Sequence, residues 1–414
     1  MRIAVVGSGI AGLASAWLLS RVHDVTLFEA NDYLGGHTHT HDVEIAGRTC
    51  AVDTGFIVFN PPHYPLLDRM FAELGVESQP TTMSFALKNE RSGLEYNATS
   101  LGGLFCQTRN IVSPRLWRMV RDILRFYREA PALLDAPGNG PTLGEHLEAN
   151  RYSDAFRDDH LVPMASALWS SPSTQVLRFP AKYLVRFMAN HQMLQASGRP
   201  RWRVVRGGSQ MYVRALRKRW QVAERMRCAV TRVERDHAGV TVTHASGTER
   251  FDQAVLACHS DQSLALLADA SERERAILGA MPYQENDTVL HTDASLLPSR
   301  RRAWAAWNAL VPREPSEHCT VSYCMNLLQS LDSPQPLIVT LNSTARIAPE
   351  KILKRMHYHH PAYTHASVAA QARRAEIQGT NRTWFAGAYW GWGFHEDGMR
   401  SAVDVANGLG VHWP

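Results

Sequence analysis

The segment 2–30 constrains this chain more than any other part of it. Ile3-Ala4-Val5-Val6 is a short apolar run suited to a buried parallel strand. Gly7-Ser8-Gly9-Ile10-Ala11-Gly12 follows without a break, and residues 13–20 read as a helix. A second apolar run, Val25-Thr26-Leu27-Phe28, ends at Glu29, 17 residues after Gly12. Strand, glycine loop, helix, strand and acid in this order form a dinucleotide-binding unit. Gly7 permits the tight turn, Gly9 lets the backbone approach a pyrophosphate, and Gly12 lets helix and strand pack closely. The free N–H groups of the helix start receive the phosphates, and Glu29 accepts hydrogen bonds from ribose hydroxyls. Residues 3–20 carry no charge, a pattern shared with signal peptides and short membrane spans. The three glycines, with Ser8 and Ser15, make the run a strand plus a helix instead.

Composition removes other classes. Of 414 residues, 45% are hydrophobic, which is ample for a packed core and excludes a disordered chain. A net charge of +5 is too mild to indicate a nucleic-acid partner. The charge is uneven: residues 199–227 hold ten basic side chains and one acid, Glu224, and a second basic stretch spans 109–128. Each reads either as a solvated helix face or as a surface for phosphates or lipid headgroups. Peripheral membrane contact through 199–227 is the corresponding partner expectation. Six cysteines without a C-x-x-C pair fit free thiols in a reducing, cytoplasmic setting.

Further motifs refine the dinucleotide reading. Glu29 and Ala30 are followed by Leu34-Gly35-Gly36-His37-Thr38, and then by Val52-Asp53-Thr54-Gly55-Phe56-Ile57. Arg206-Gly207-Gly208-Ser209-Gln210 precedes a helix. Near the end stand Thr383-Trp384-Phe385-Ala386-Gly387-Ala388 and His395-Glu396-Asp397-Gly398-Met399-Arg400. Together these resemble the FAD fingerprints of the flavin amine oxidase, phytoene desaturase and protoporphyrinogen oxidase superfamily, over nearly the whole chain. The resemblance implies FAD contacts from Gly7 to Gly12, including Ile10 and Ala11, and from Glu29, Ala30, Gly35, Gly36, His37 and Thr38. It implies further contacts at Gly55, Phe56, Ile57, Val230, Gly387, Ala388, Asp397, Gly398 and Met399. His37 replaces the arginine usual in that family, and Ala388 replaces a usual acid. Residues 380–414 contain no cysteine, so FAD is expected to be non-covalent.

The implied architecture is α/β, with a discontinuous Rossmann-like FAD domain (1–60, 202–275 and 380–414). An α+β substrate domain would comprise 61–201 and 276–379. The chain is similar to bacterial NAD/FAD-binding oxidoreductases whose genes often neighbour cyclopropane fatty-acid synthase homologues. That implies hydride movement between a substrate C–H and flavin N5, in a desaturase-type reaction on a fatty-acyl or other lipid. Oxygen, a quinone or another acceptor would take the electrons. Amine oxidation to an imine and hydrogen peroxide is the alternative. Related amine oxidases place a lysine near N5, and none of the five lysines here lies between 276 and 350. A non-catalytic flavoprotein that binds a membrane or partner is the second alternative.

Candidate chemistry is confined to a few side chains. His395 and Glu396 are proton-transfer candidates. Tyr389, Trp390, Trp392 and Phe394 are expected to wall a substrate cavity. The helices predicted around 116–128 and 181–194, with Trp117, Phe187 and Met193 among their apolar residues, fit either a lipid tunnel or plain core. His37, His39 and His41 alternate, and His357, His359 and His360 cluster, but no carboxylate or cysteine accompanies them in register, so no metal is expected. His259-Ser260-Asp261 is not a triad, because neighbours on an extended chain point apart.

Overall fold

The computed structural model describes residues 1–138, 140–195, 198–314 and 320–413. Its organising layer is a five-stranded parallel sheet of β1 (Arg2–Val6), β2 (Asp24–Phe28), β3 (Val222–Arg225), β4 (Gln253–Leu256) and β5 (Thr383–Phe385). The spatial order is β3-β2-β1-β4-β5. Strands buried on both faces need apolar side chains throughout, which explains the near-continuous Val/Ile/Leu/Ala character of β1 and β4.

Helix α1 (Ile10–Leu19) connects β1 to β2, and all ten of its residues are buried. The closing helix α2 (His395–Gly408) packs beside it. Glycines set both approaches. A Cβ on Gly12 would lie 1.8 Å from the Gly7 carbonyl oxygen, and one on Gly398 would lie 2.6 Å from Ile10 Cγ2. The uncharged amino-terminal run is therefore β1 plus α1. Among the described residues, no helix is long and apolar enough to cross a membrane.

A seven-stranded sheet forms the second large layer. Its strands, in spatial order, are Ile352–Pro361, Tyr283–His291, Ile338–Leu341, Thr320–Cys324, Trp307–Val311, Phe85–Asn89 and Glu95–Asn97. All its pairings are antiparallel except that of Trp307–Val311 with Phe85–Asn89. Helices Pro114–Glu129, Val162–Trp169 and Ala181–Asn190 share a separate apolar cluster around Phe126, Trp169 and Phe187. The small antiparallel sheet of Val58–Phe59, Ser78–Thr81 and Trp202–Val205 joins 58–81 to the chain just before β3.

Part of the basic segment 199–227 is ion-paired. Arg217 pairs with Glu224 at 2.7 Å, Arg206 with Glu77 at 3.3 Å and Arg227 with Asp32 at 3.3 Å. Five cysteines are free thiols, and Cys319 lies outside the described residues.

Candidate functional site

A cavity of about 640 Å³ runs from the β1–α1 turn to the seven-stranded sheet. Gly9, Ile10 and Ala11 line one end, joined by Gly35, His37 and Cys258. Gly9 has ordinary extended backbone (φ −62°, ψ 176°), and a Cβ built on it would meet nothing within 4 Å. The open space above this glycine, at the start of a buried helix, fits a diphosphate. Glu29, at the end of β2, is held ready: it accepts from Ser8 N at 3.0 Å and from Asn31 N at 2.8 Å. Gly35 and Gly36 both adopt positive φ, which lets their loop return against Gly9.

His37 lines this end. The residue is half-buried, and its Nε2, enclosed by protein, has no hydrogen-bond partner among the described residues. Its ring lies 4.9 Å from that of Tyr358, 5.2 Å from His360 and 6.2 Å from His259. Burial, reinforced by the other imidazoles, holds the His37 pKa well below the ordinary value. Together with the open space above Gly9, this polar end suits a diphosphate. Among the described residues, no group of three His, Cys, Asp or Glu side chains could hold a metal ion.

The cavity is also bounded by Thr54, Gly55, Phe56 and Ile57 and by Gly387, Ala388, Gly393, Phe394 and His395. Phe56 and His395 stack at 3.6 Å. His395 Nε2 is within hydrogen-bond distance of Thr38 Oγ1 (3.0 Å) and Tyr212 OH (3.3 Å). Burial pushes the His395 pKa down to about 3, so its imidazole is neutral. Thr38 turns its hydroxyl to His395 and Tyr212 and is not in the cavity lining.

The structure separates several residues that stand together in the sequence. Glu396 is not in the lining: its two oxygens accept the backbone N–H groups of Leu66 and Leu67, both at 3.1 Å, at the start of helix Pro65–Leu74. Burial raises its pKa to about 7. Asp397 accepts from Trp392 N and Phe394 N, both at 3.0 Å, which fixes the loop entering α2. Met399 is fully buried in the core between α1 and α2. Of the four aromatic residues, Tyr389 and Phe394 line the cavity and the two tryptophans do not. Trp390 donates to the Phe385 carbonyl at 3.0 Å, and Trp392 packs against Tyr183 and Phe187. Val230 also lies outside the lining, in a strand paired with Val240–His244.

The helix around 181–194 contributes to both cavity and core. Phe187 and Met193 line the cavity, whereas Tyr183 and Met188 belong to the buried cluster. Trp117 does neither, because it is exposed. Sequence reading missed His191, Cys258, Tyr283, Tyr323 and Trp307, all of which line the cavity. They come from separate elements, and no local window unites them. His259 stacks on Tyr283 at 4.5 Å and also lines the cavity, in no triad-like arrangement.

Comparison with known proteins then settles the family. The model of the flavin-containing amine oxidoreductases matches residues 10–282. The chain belongs to that family. It has the two-domain amine oxidase-type fold, and the family is one of flavin-containing proteins. A Mycobacterium tuberculosis protein named "Putative flavin-containing monoamine oxidase AofH" is 28% identical over 257 residues, 59% of this chain and 54% of that protein. A tryptophan 2-monooxygenase of Allorhizobium ampelinum is 48% identical over 52 residues, 12% of this chain and 7% of that enzyme. The matched stretches thus span about half or less of these relatives' own length. Among solved structures, a conjugated-linoleic-acid-producing fatty acid isomerase from P. acnes superposes with TM-score 0.71 at 17% identity, covering 99% of this chain and 98% of that one. Cyclohexylamine oxidase from Brevibacterium oxydans gives 0.70 at 16%, covering 99% of each chain. At these identities the likeness is one of fold.

Proposed function

We propose that this enzyme oxidises an amphipathic lipid-like substrate, with an apolar chain and an anionic head, in a desaturase-type reaction at a C–H bond. The supporting observation is the chemistry of the cavity wall. Beyond the flavin-side residues it is lined by Met83, Leu168, Phe187, Met193, Trp307 and Leu341, and its solvent end carries the exposed Arg199 and Arg201. No Asp, Glu or Lys side chain is in the lining among the described residues. A protonated amine would meet two guanidinium groups and no counter-charge. A carboxylate head would be attracted there, while its chain gains about 0.8 kcal/mol per buried CH₂.

Bound flavin supplies a two-electron hydride acceptor at N5. The chain's own residues bind and orient. The β1–α1 turn, Gly35, Gly36 and His37 hold the diphosphate, with Glu29 at the ribose. Phe56 and His395 form a stacked, neutral wall, and Phe394 with Phe187 confines the substrate and excludes water. We assign His395 a positioning role, because its ring nitrogen is committed to Thr38 and Tyr212. Glu396 acts at one remove, by fixing helix Pro65–Leu74. Segment 199–227 contributes Arg199 and Arg201 to the cavity mouth rather than a membrane-binding face.

Amine oxidation is the second reading, favoured by the amine oxidases among the relatives and structural neighbours. Anaerobic titration separates the two. Fatty acids, their methyl esters and alkylamines are added in turn while the oxidised flavin absorbance is followed. The lipid reading expects bleaching by an acid, and expects R199E/R201E to raise the half-saturating concentration of the acid but not of the ester. Bleaching by an amine with none by any acid or ester overturns it.

A further inference from the structure

Nine large hydrophobic side chains are exposed among the described residues, and five of them fall within 101–124. Leu101, Ile111, Val112, Trp117 and Leu124 are each between 49% and 78% exposed. The other four, Met1, Val22, Met211 and Leu327, are scattered along the chain. Trp117 joins two parts of this segment in space. Trp117 Nε1 donates to the Ile111 carbonyl at 2.7 Å, and its ring lies 5.8 Å from that of Phe105, which ends the short helix Leu101–Leu104. Exposed apolar surface gathered in this way marks a docking site.

The charge around the patch identifies what docks. Helix Pro114–Glu129 buries Leu116, Met119 and Phe126 against the protein. Its solvent face presents Trp117, Arg118, Arg121, Leu124 and Arg128, so apolar and cationic side chains alternate along one stripe. Arg118 makes no ion pair among the described residues, and Arg121 reaches only Asp122, at 3.6 Å, while remaining 73% exposed. Arg125 and Arg128 share Glu129, at 2.8 Å and 3.2 Å, so the helix's five arginines against Asp122 and Glu129 leave it a net positive charge. An amphipathic helix with tryptophan and leucine among arginines suits the plane of an anionic bilayer.

The patch also adjoins the cavity. On the same helix, Tyr127 accepts a hydrogen bond from Arg199 at 3.2 Å, and Arg199 lines the cavity mouth. Ile123 and Tyr127 pack on the cluster containing Phe187, a wall of the cavity. We propose that segment 101–128 is a membrane-docking surface that seats the enzyme on anionic bilayers with its cavity mouth near the lipid. The proposal stands on surface geometry and charge, independently of the substrate reading above.

Vesicle flotation of the flavin-loaded enzyme tests it. The probes are phosphatidylcholine vesicles with and without 30% phosphatidylserine, at low and high salt, a composition rich enough in anionic lipid to give a strong surface potential (about 30% is ample). Wild type is expected to float with the anionic vesicles, and less at high salt. R118Q/R121Q is expected to weaken binding by on the order of thirty-fold. V112S/W117S is expected to weaken it at high salt as well, since it removes the inserted apolar area. Both variants alter exposed side chains and should keep wild-type flavin content and melting temperature. R217E/R219E, in the other basic segment and away from the exposed apolar group, should float like wild type. Absence of wild-type binding, or binding unchanged in both 101–124 variants, overturns the proposal. So does a wild-type dimer on gel filtration that V112S/W117S converts to monomer without any loss of flotation, since a second copy would then cover the face.

Discussion

Two glycines in one turn separate cofactor binding from folding. Gly9→Ala introduces a methyl group where no protein atom lies within 4 Å, on backbone already compatible with alanine (φ −62°, ψ 176°). The flavin-free protein should therefore fold normally and gain about 0.4–1 kcal/mol from the reduced entropy of its unfolded chain. The same methyl occupies the space a diphosphate must enter. At about 1–3 kcal/mol for an overpacked contact, flavin affinity should fall roughly five- to 150-fold. Gly12→Ala differs in kind. Its Cβ would stand 1.8 Å from the Gly7 carbonyl oxygen and 3.2 Å from Ala257 Cβ. No flexible side chain can yield there, so β1 and α1 must separate, at a cost above about 3 kcal/mol. Flavin absorbance per polypeptide, flavin titration of the stripped protein and urea unfolding of that protein measure the three quantities. The expected result is a stable G9A with weak flavin binding and an unstable G12A. A G9A protein with wild-type flavin affinity, or a G12A protein as stable as wild type, would refute the reasoning.

Other predictions rest on buried charge. Glu396 holds its proton up to about pH 7 when folded, against an ordinary 4.5, so the folded state binds the extra proton and stability falls as pH rises through that window. Glu396→Gln should flatten the slope of unfolding free energy between about pH 4.5 and 7 by up to about 3 kcal/mol in total; parallel wild-type and variant curves would contradict this. Arg235 and Glu274 form a buried pair at 2.5 Å, with Asp269 alongside. Arg235→Met should cost about 3–5 kcal/mol in urea unfolding, with partial recovery in R235M/E274Q. His395, neutral with its pKa near 3, should contribute no limb to the pH profile of flavin reduction between about pH 5 and 9. Loss of a near-neutral limb in H395F would show otherwise.

The parallel sheet and the glycine turn between β1 and α1 were legible because they depend on local backbone chemistry. The close approach at Gly12 and the open backbone at Gly9 follow from their spacing between two apolar strands, whatever the rest of the chain does. The surroundings of His37 were not legible, because Tyr358, His360 and His259 reach it from distant strands and loops. Neighbouring side chains also diverged where spacing alone gave no direction. Tyr389 and Trp390 share one turn, yet only the first faces the cavity. His395 and Glu396 are adjacent on a helix, where successive side chains point about 100° apart. One therefore faces the cavity and the other faces a neighbouring helix. Two acids that pair with the basic segment 199–227, Glu77 and Asp32, come from elsewhere in the chain, so those pairs could not be read from the segment itself.

The order of strands in the central sheet has a consequence for synthesis. β1 lies between β2 and β4, β4 needs β5, and α1 is covered in part by α2. A nascent chain emerging from the ribosome cannot complete this layer until residues 383–408 have appeared. Until then the ten-residue apolar helix that will carry the diphosphate turn has no permanent cover. Such delayed, long-range closure is slow and leaves sticky surface waiting. The layer that frames the cavity's glycine end is thus complete only after nearly the whole chain has been made.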